Sequence, residues 1–296
     1  MRNFAEIRDR ARESSRSRVS IPMGHDAASV EALVAAAEEG IAGAVIVGPR
    51  AGLEQTLSET GLKLPPGIEI VDQEDAEKAA MEAVRLVSSG EASILMKGLI
   101  KTSVFQKAIL DRETGLRSGR ILSHVAVLES PVQERLVAIT DGGMNIRPDR
   151  DEIIQIIQNA AGVVSRLEIG EPLVALLAAI EVPNEKMPET LMFEEIARSG
   201  MVEGIRVAGP LAVDGAMVPE AARVKGITGP VAGNANVLVA PDISSGNIFA
   251  KGLMYMAGVE VGGLIAGASA PVVMLSRSDT AATKLNSLAL GVVVGG

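Results

Sequence analysis

The chain has 296 residues, 47% of them apolar but with only four Phe, one Tyr and no Trp, and a net charge of -9; this is length for about two domains of 100 to 200 residues, with an interior built from Ala, Val, Leu and Ile. An acidic balance, with an isoelectric point near 5.0, speaks against a grip on a nucleic-acid backbone, and there are too few rings to stack bases. The lack of cysteine excludes disulfides, thiolate metal sites and a cysteinyl thioester intermediate.

The first eighteen residues carry six Arg interleaved with Glu6, Asp9 and Glu13, and Phe4, Ile7 and Ala11 recur at helical spacing, which predicts an amphipathic surface helix. Short apolar runs at 18–22, 44–47, 68–71, 93–96, 124–128, 136–140, 173–180, 237–240 and 272–275 predict strands. Between them, segments of helical period at 29–39, 76–87, 103–110, 150–167 and 188–198 predict helices. This alternation is the pattern of βαβ units and a parallel sheet, and near-continuous aliphatic strands suit burial on both faces. Asp26, Thr102 and Pro148-Asp149 stand where helix N-termini are capped. No repeat, low-complexity linker or signal-peptide core is visible. The longest wholly apolar run, 173–180, is far short of the roughly 20 residues that cross a bilayer, so a cytoplasmic chain is expected.

Lys97, Asp141, Glu181, Asp242 and Ser276 each stand just beyond the C-terminal end of an apolar run. Open α/β sheets bind ligands along that edge, although turn residues and caps collect there too. In Lys97-Gly98-Leu99-Ile100-Lys101-Thr102, backbone donors, a helix start and two ammonium groups converge, as an anion site or as an ordinary solvated turn. Neither the P-loop spacing nor a dinucleotide fingerprint occurs, which disfavours an oxidoreductase. His124 reads as a general base or, like most lone histidines, as a structural residue, and with only His25 for company it forms no histidine-rich metal site. Ser123 and His124 are neighbours on a strand and should point to opposite faces.

Asp141-Gly142-Gly143-Met144-Asn145 reads as a loop that lets a ligand approach the backbone, or as a tight turn with an Asp cap. Asp149, Asp151 and Glu152 suit a helix N-terminus better than a metal cluster, and no metal is assigned. The stretch 230–242 delivers an acid, Asp242, at the end of an apolar strand, followed by Gly246-Asn247. At 270–280 the order is again strand, polar tip and helix. There Ser276 offers a hydroxyl to an oxyanion, and Arg277 offers a bidentate grip on phosphate or a solvated side chain.

In the same order, Lys97-Gly98, 122–127, 140–145, 208–214, 230–242 and Ser276-Arg277-Ser278-Asp279 resemble the phosphate acetyl- and butyryltransferases, and the similarity runs from Ile94 to Leu290. The wording of 122–127, 140–145 and Thr283-Lys284-Leu285-Asn286-Ser287 looks more like the butyryl branch. The resemblance implies two α/β/α lobes with largely parallel sheets, of isocitrate/isopropylmalate dehydrogenase-like architecture. Residues 1–138 and 267–296 would form the first lobe, 139–266 the second, with the active-site cleft between them. It implies exchange of a short acyl group, butyryl, branched or acetyl, between coenzyme A and phosphate. Coenzyme A is then a substrate, no covalent cofactor or metal is needed, and a homodimer or higher homo-oligomer is expected, without nucleic-acid or membrane partners.

The implied roles are catalytic for Ser276, Arg277 and Asp279; phosphate or acyl-phosphate binding for Lys97, Gly98, Thr102, Ser123, His124, Asp141 and Asn145; and the coenzyme side of the cleft for Gly233, Asp242, Gly246 and Asn247. Two departures stand out. Thr283 occupies the place, seven positions after Ser276, where acetyl-type relatives carry an Asp that helps to deprotonate the thiol, which leaves Asp279, His124 or solvent as the base. Asn234 stands where relatives usually have Lys. A non-catalytic sensor of acyl-CoA or phosphate is the reading of another class that these departures keep in play.

Overall fold

The helix expected at the N-terminus forms as α1 (Phe4–Arg12), which buries Phe4, Ile7 and Ala11 and leaves its charges to water. A computed structural model describes residues 1–14, 17–131, 133–200, 202–276 and 278–296. After α1 come β1 (Arg18–Pro22), α2 (Ala27–Glu38), β2 (Gly43–Gly48), α3 (Arg50–Thr60), β3 (Ile68–Asp72), α4 (Ala76–Ser88), β4 (Ile94–Met96) and α5 (Thr102–Ile109). The middle of the chain supplies β5 (Ser123–Ser130), β6 (Arg135–Thr140), α6 (Arg150–Arg166), β7 (Leu173–Leu177), α7 (Pro188–Ser199), β8 (Arg206–Leu211), α8 (Val213–Met217), α9 (Pro219–Val224), β9 (Val237–Val239) and α10 (Ile243–Met256). The last stretch adds β10 (Val261–Ala266), β11 (Val272–Val273) and α11 (Ala281–Gly295).

Two compact units result, one of residues 4–120 with 261–296 and one of residues 1–3 with 121–260. In the first, the strand order is β3-β2-β1-β4-β11-β10, parallel except for β10. The order matters for function. Because β1, β4 and β11 are parallel neighbours, the segments that leave them, 23–26, 97–101 and 274–276, emerge along one sheet edge. Val19, Ile21, Ile94, Leu95, Val272 and Val273 are essentially excluded from water; burying each such aliphatic side chain contributes about 1.5–3 kcal/mol. Ala79, Ala80, Ala83, Val84 and Val87 form the buried stripe of α4 at helical spacing, and Asp75 caps its start.

In the other unit the order is β5-β6-β9-β7-β8, with β5–β6 antiparallel and the rest parallel. The helix α6 opens with a capping box in which Asp149 accepts from the Glu152 amide and the Glu152 side chain accepts from the Asp149 amide. It buries Ile153, Ile156, Ile157, Ala160, Val163 and Val164 against the sheet. The apolar run at 173–180 is not one strand. The register against β8 shifts between Ala175 and Leu177, β7 ends at Leu177, and residues 178–180 leave the ladder. The strand β8 carries Gly209-Pro210, which conceals it in the sequence; Pro is tolerated because β8 is an edge strand. Among the described residues no helix is long and apolar enough to cross a membrane.

Candidate active site

Along the edge of the first unit, the Lys97 amide donates to the Val273 carbonyl at 2.9 Å and the Leu99 amide donates to the Met23 carbonyl at 2.9 Å, so the loops after β1, β4 and β11 are stitched together. Gly98 makes the stitching possible. A Cβ there would lie 2.4 Å from the Pro22 carbonyl oxygen and 2.5 Å from that of Met23, closer than any side chain can come. Lys97 is half-buried beside it. Thr102 is not a cap: α5 begins one residue earlier than its sequence suggests, Lys101 holds the capping position without a side-chain bond, and Thr102 is the exposed first residue of the helix. The side chain of the capping residue therefore accepts from none of the leading amides of α5.

The neighbouring loop from β11 is shaped by its own polar groups. The Asp279 carboxylate accepts from the Ser276 amide at 2.7 Å, and the Asp279 amide donates to the Ser276 carbonyl at 3.2 Å. Ser276 is exposed, with its hydroxyl 3.0 Å from that of Ser278, and Asp279 is buried. Arg277 lies outside the described residues. Thr280 caps α11 by accepting from the Thr283 amide at 3.2 Å, and the two threonine hydroxyls are 3.1 Å apart. Thus Lys97, Gly98, Ser276 and Asp279 belong to two adjacent loops on one edge, and Thr102 opens the helix that follows the first of them. Such an edge has amide donors, an ammonium and a hydroxyl with which to hold an anion and a developing oxyanion.

Ser123, His124, Asp141, Asn145, Asp242, Gly246 and Asn247 all belong to the other unit. Asp141 is 2% exposed and is surrounded by donors. One of its oxygens accepts from the amides of Gly143 (2.8 Å), Met144 (3.0 Å) and His124 (3.2 Å), the other from the Asn145 amide (3.0 Å) and side chain (2.7 Å). The Asn145 side chain also donates to the Leu122 carbonyl at 2.9 Å, so both residues are spent on shaping their loop. Ser123 is fully buried and accepts from the Asn159 side chain at 2.9 Å, whereas His124 is half-buried on the opposite strand face.

That loop meets the start of α10 backbone to backbone. A Cβ on Gly246 would lie 2.6 Å from the Asp141 carbonyl oxygen, and one on Gly142 would lie 2.9 Å from the Gly246 carbonyl carbon. Asn247 donates to the Gly142 carbonyl at 2.9 Å, and Asp242 caps α10 by accepting from the Ser245 amide at 2.8 Å. Gly233 is not gathered here. It precedes β9 where Asp242 follows it, on the opposite sheet edge, at φ 71° against Pro219. Asn234 shares that far edge, where its carbonyl accepts from Arg135 at 2.7 Å.

Beside Asp242 opens a pocket of about 770 Å³ lined by Arg147, Leu177, Met187, Met192 and Phe249 among others. Of these only Asp242 was legible beforehand. Phe249 did carry a signal, because it is one of four Phe in the chain; the other three are fully buried and this one is half-exposed on the pocket. Among the described residues no cluster of three or more His, Cys, Asp or Glu is placed to hold a metal ion.

Residues 73–292 match the family model described as Phosphate acetyl/butaryl transferase. A phosphate butyryltransferase of Clostridium acetobutylicum is 39% identical over 299 residues, which cover 100% of this chain and 99% of that protein. The crystal structure of a branched-chain phosphotransacylase from Enterococcus faecalis V583 superposes with a TM-score of 0.83 at 33% identity, covering 94% of this chain and 99% of that one. A 4-hydroxythreonine-4-phosphate dehydrogenase from Klebsiella pneumoniae shares the fold alone, with a TM-score of 0.60 at 14% identity over 95% of this chain and 100% of that one. The family model over residues 73–292, together with relatives 39% and 33% identical over nearly the whole chain, places this α/β chain in the phosphate acetyl/butyryl transferase family.

Proposed function

We propose that the chain moves a short acyl group between coenzyme A and phosphate, with butyryl or a branched short acyl group preferred over acetyl. The observation that carries the reading is the stitched pair of loops at the ends of β4 and β11, where Lys97, Gly98 and Ser276 share one edge. In the direction of thioester synthesis, the thiol of coenzyme A loses its proton and the thiolate attacks the acyl phosphate carbonyl. The C–S bond forms, the carbonyl electrons move onto oxygen and return, and the C–O bond to phosphate breaks. Lys97 and Arg277 hold the phosphoryl oxygens, while the Ser276 hydroxyl donates to the oxyanion. Holding both substrates in line supplies the rest.

Thr283 is no base at neutral pH, and the Asp279 carboxylate is engaged by the Ser276 amide. Proton loss is therefore left to His124 or to solvent, with the thiolate stabilised by the positive edge. A thiol of pKa about 8.5 is a few per cent ionised at neutral pH without help. On the coenzyme side, the pocket beside Asp242 has apolar walls and a ligand-like volume, about 770 Å³, which suits a pantetheine arm. A homodimer or higher oligomer in the cytoplasm completes the reading; Ile248, Tyr255 and Met256, exposed on α10, support an apolar self-association surface.

The test is thiol release from acetyl-, butyryl-, isobutyryl- and isovaleryl-CoA with and without phosphate. Phosphate-dependent release, fastest with a four- or five-carbon acyl group, is expected, and Arg277→Ala should lower kcat/KM at least about tenfold. No release with any of them refutes the reading. Ligand-induced thermal stabilisation without turnover would mark a sensor instead.

A further inference from the structure

The segment Thr283-Lys284-Leu285-Asn286-Ser287 has no part in the transfer chemistry above, yet it holds a lysine that is only 5% exposed. Lys284 lies in the first turn of α11, where a cation opposes the helix dipole, and its ammonium has been taken out of water. Both terms oppose stability, so the placement calls for a geometric return. The Lys284 ammonium donates to the Asp26 carboxylate at 2.9 Å and to the Ser29 hydroxyl at 3.0 Å. Asp26 is itself the cap of α2, accepting from the Ser29 amide at 3.0 Å. Burial pushes the Asp26 carboxyl up, but the hydrogen bonds from Ser29 and Lys284, with the Lys284 charge, outweigh it and hold the group below its ordinary range.

We propose that Lys284 is a positioning residue for the transfer centre: it clamps the first turn of α11 to the first turn of α2 and thereby fixes, through Thr280 and Asp279, the start of the loop at Ser276. This rests on the reading of that loop as the transfer centre. The mechanical path is short. Lys284 holds the helix start, Thr280 caps that start through the Thr283 amide, and Asp279, the next residue back, grips the Ser276 amide. A neighbouring face of α11 is pinned one turn later, where the Gly263 amide of β10 donates to the Ser287 hydroxyl at 2.9 Å, and a Cβ on Gly262 would lie 3.1 Å from the Asn286 carbonyl carbon. With β10 behind it and α2 beside it, the helix start has one seating, and Ser276 inherits it.

The full chain carrying Lys284→Met is compared with wild type in the phosphate-dependent thiol assay. Expected is a loss of kcat of about fivefold or more with both KM values nearly unchanged, the mark of misplacement rather than lost binding. Asp26→Ala, which removes the acceptor and spares the lysine if Lys284→Met fails to fold, should lose kcat likewise. Asp26→Asn keeps an acceptor for the ammonium and a cap for α2, and should retain kcat within about twofold. Val84→Ala, in the core of α4 away from the loop, controls for loss of stability and should leave kcat unchanged. A smaller loss in Lys284→Met, a loss carried by KM, or an equal loss in Val84→Ala overturns the clamp. If wild type turns over no acyl-CoA, the transfer reading fails separately, and the clamp is then decided by hydrogen exchange at the Ser276 amide: faster in Lys284→Met and Asp26→Ala but not in Asp26→Asn supports it, and unchanged exchange overturns it.

Discussion

Replacing Asp141 with asparagine turns one acceptor oxygen into an amide donor at a place where every close neighbour is already a donor. Three amides, from His124, Gly143 and Met144, point at one oxygen, and the amide and side chain of Asn145 point at the other. No rotamer avoids the conflict. The less costly orientation sets the new NH2 group against the two Asn145 donors, which forfeits two charge-assisted bonds of about 1.5–3 kcal/mol each. Local relaxation and water recover part of this, leaving about 3 kcal/mol, or roughly a hundredfold in the local opening constant. Hydrogen exchange at the Gly143 and Met144 amides reads that opening directly, and urea denaturation reads its share of global stability. A carboxylate that served as a general base would behave otherwise, losing rate while the loop stayed closed. Unchanged protection of those amides in Asp141→Asn would refute the assignment of Asp141 to loop architecture.

Gly98→Ala should cost about 1–3 kcal/mol by forcing the β4 loop off the carbonyls of Pro22 and Met23, with kcat/KM falling alongside; a variant as stable and active as wild type would contradict the stitched edge. Asp279→Ala should lower kcat, whereas Asp279→Asn, which keeps an acceptor for the Ser276 amide, should retain most of it. Equal inactivation of both would restore Asp279 as a base. The lowered Asp26 carboxyl gives a pH signature: its contribution to stability is complete above the unfolded value of about 3.9 and is lost as pH falls through the still lower folded one. The difference in unfolding midpoint between wild type and Asp26→Asn should therefore shrink as pH is lowered below about 4. A gap constant across that range would contradict the ionised pair.

Much of the scaffold was legible because short apolar runs alternate with segments of helical period up to β7, α3 excepted; Lys97 and Asp141 directly follow β4 and β6, whereas Asp242 and Ser276 come three residues after β9 and β11, which end earlier than their apolar runs. Elements that hide from pattern reading do so for physical reasons. Gly209-Pro210 disguises β8 and Gly262-Gly263 disguises β10, while α11 buries residues 284–292 on every side and so has no polar face to give it period. What polar loop residues bond to was harder to see. From sequence, Asp141 and Asn145 look as available to a phosphate as Lys97 does, and only the donors around them show that their capacity is used internally. Lys284 was invisible for another reason: its partner lies 258 residues away, and an isolated Lys in a helix reads as solvated.

The most direct trial of the central claim is to trap the product of butyryl-CoA and phosphate with hydroxylamine and compare it with the thiol released. One acyl hydroxamate per thiol, both dependent on phosphate, is the outcome the stitched edge predicts. Thiol without acyl phosphate, or neither product, would contradict it.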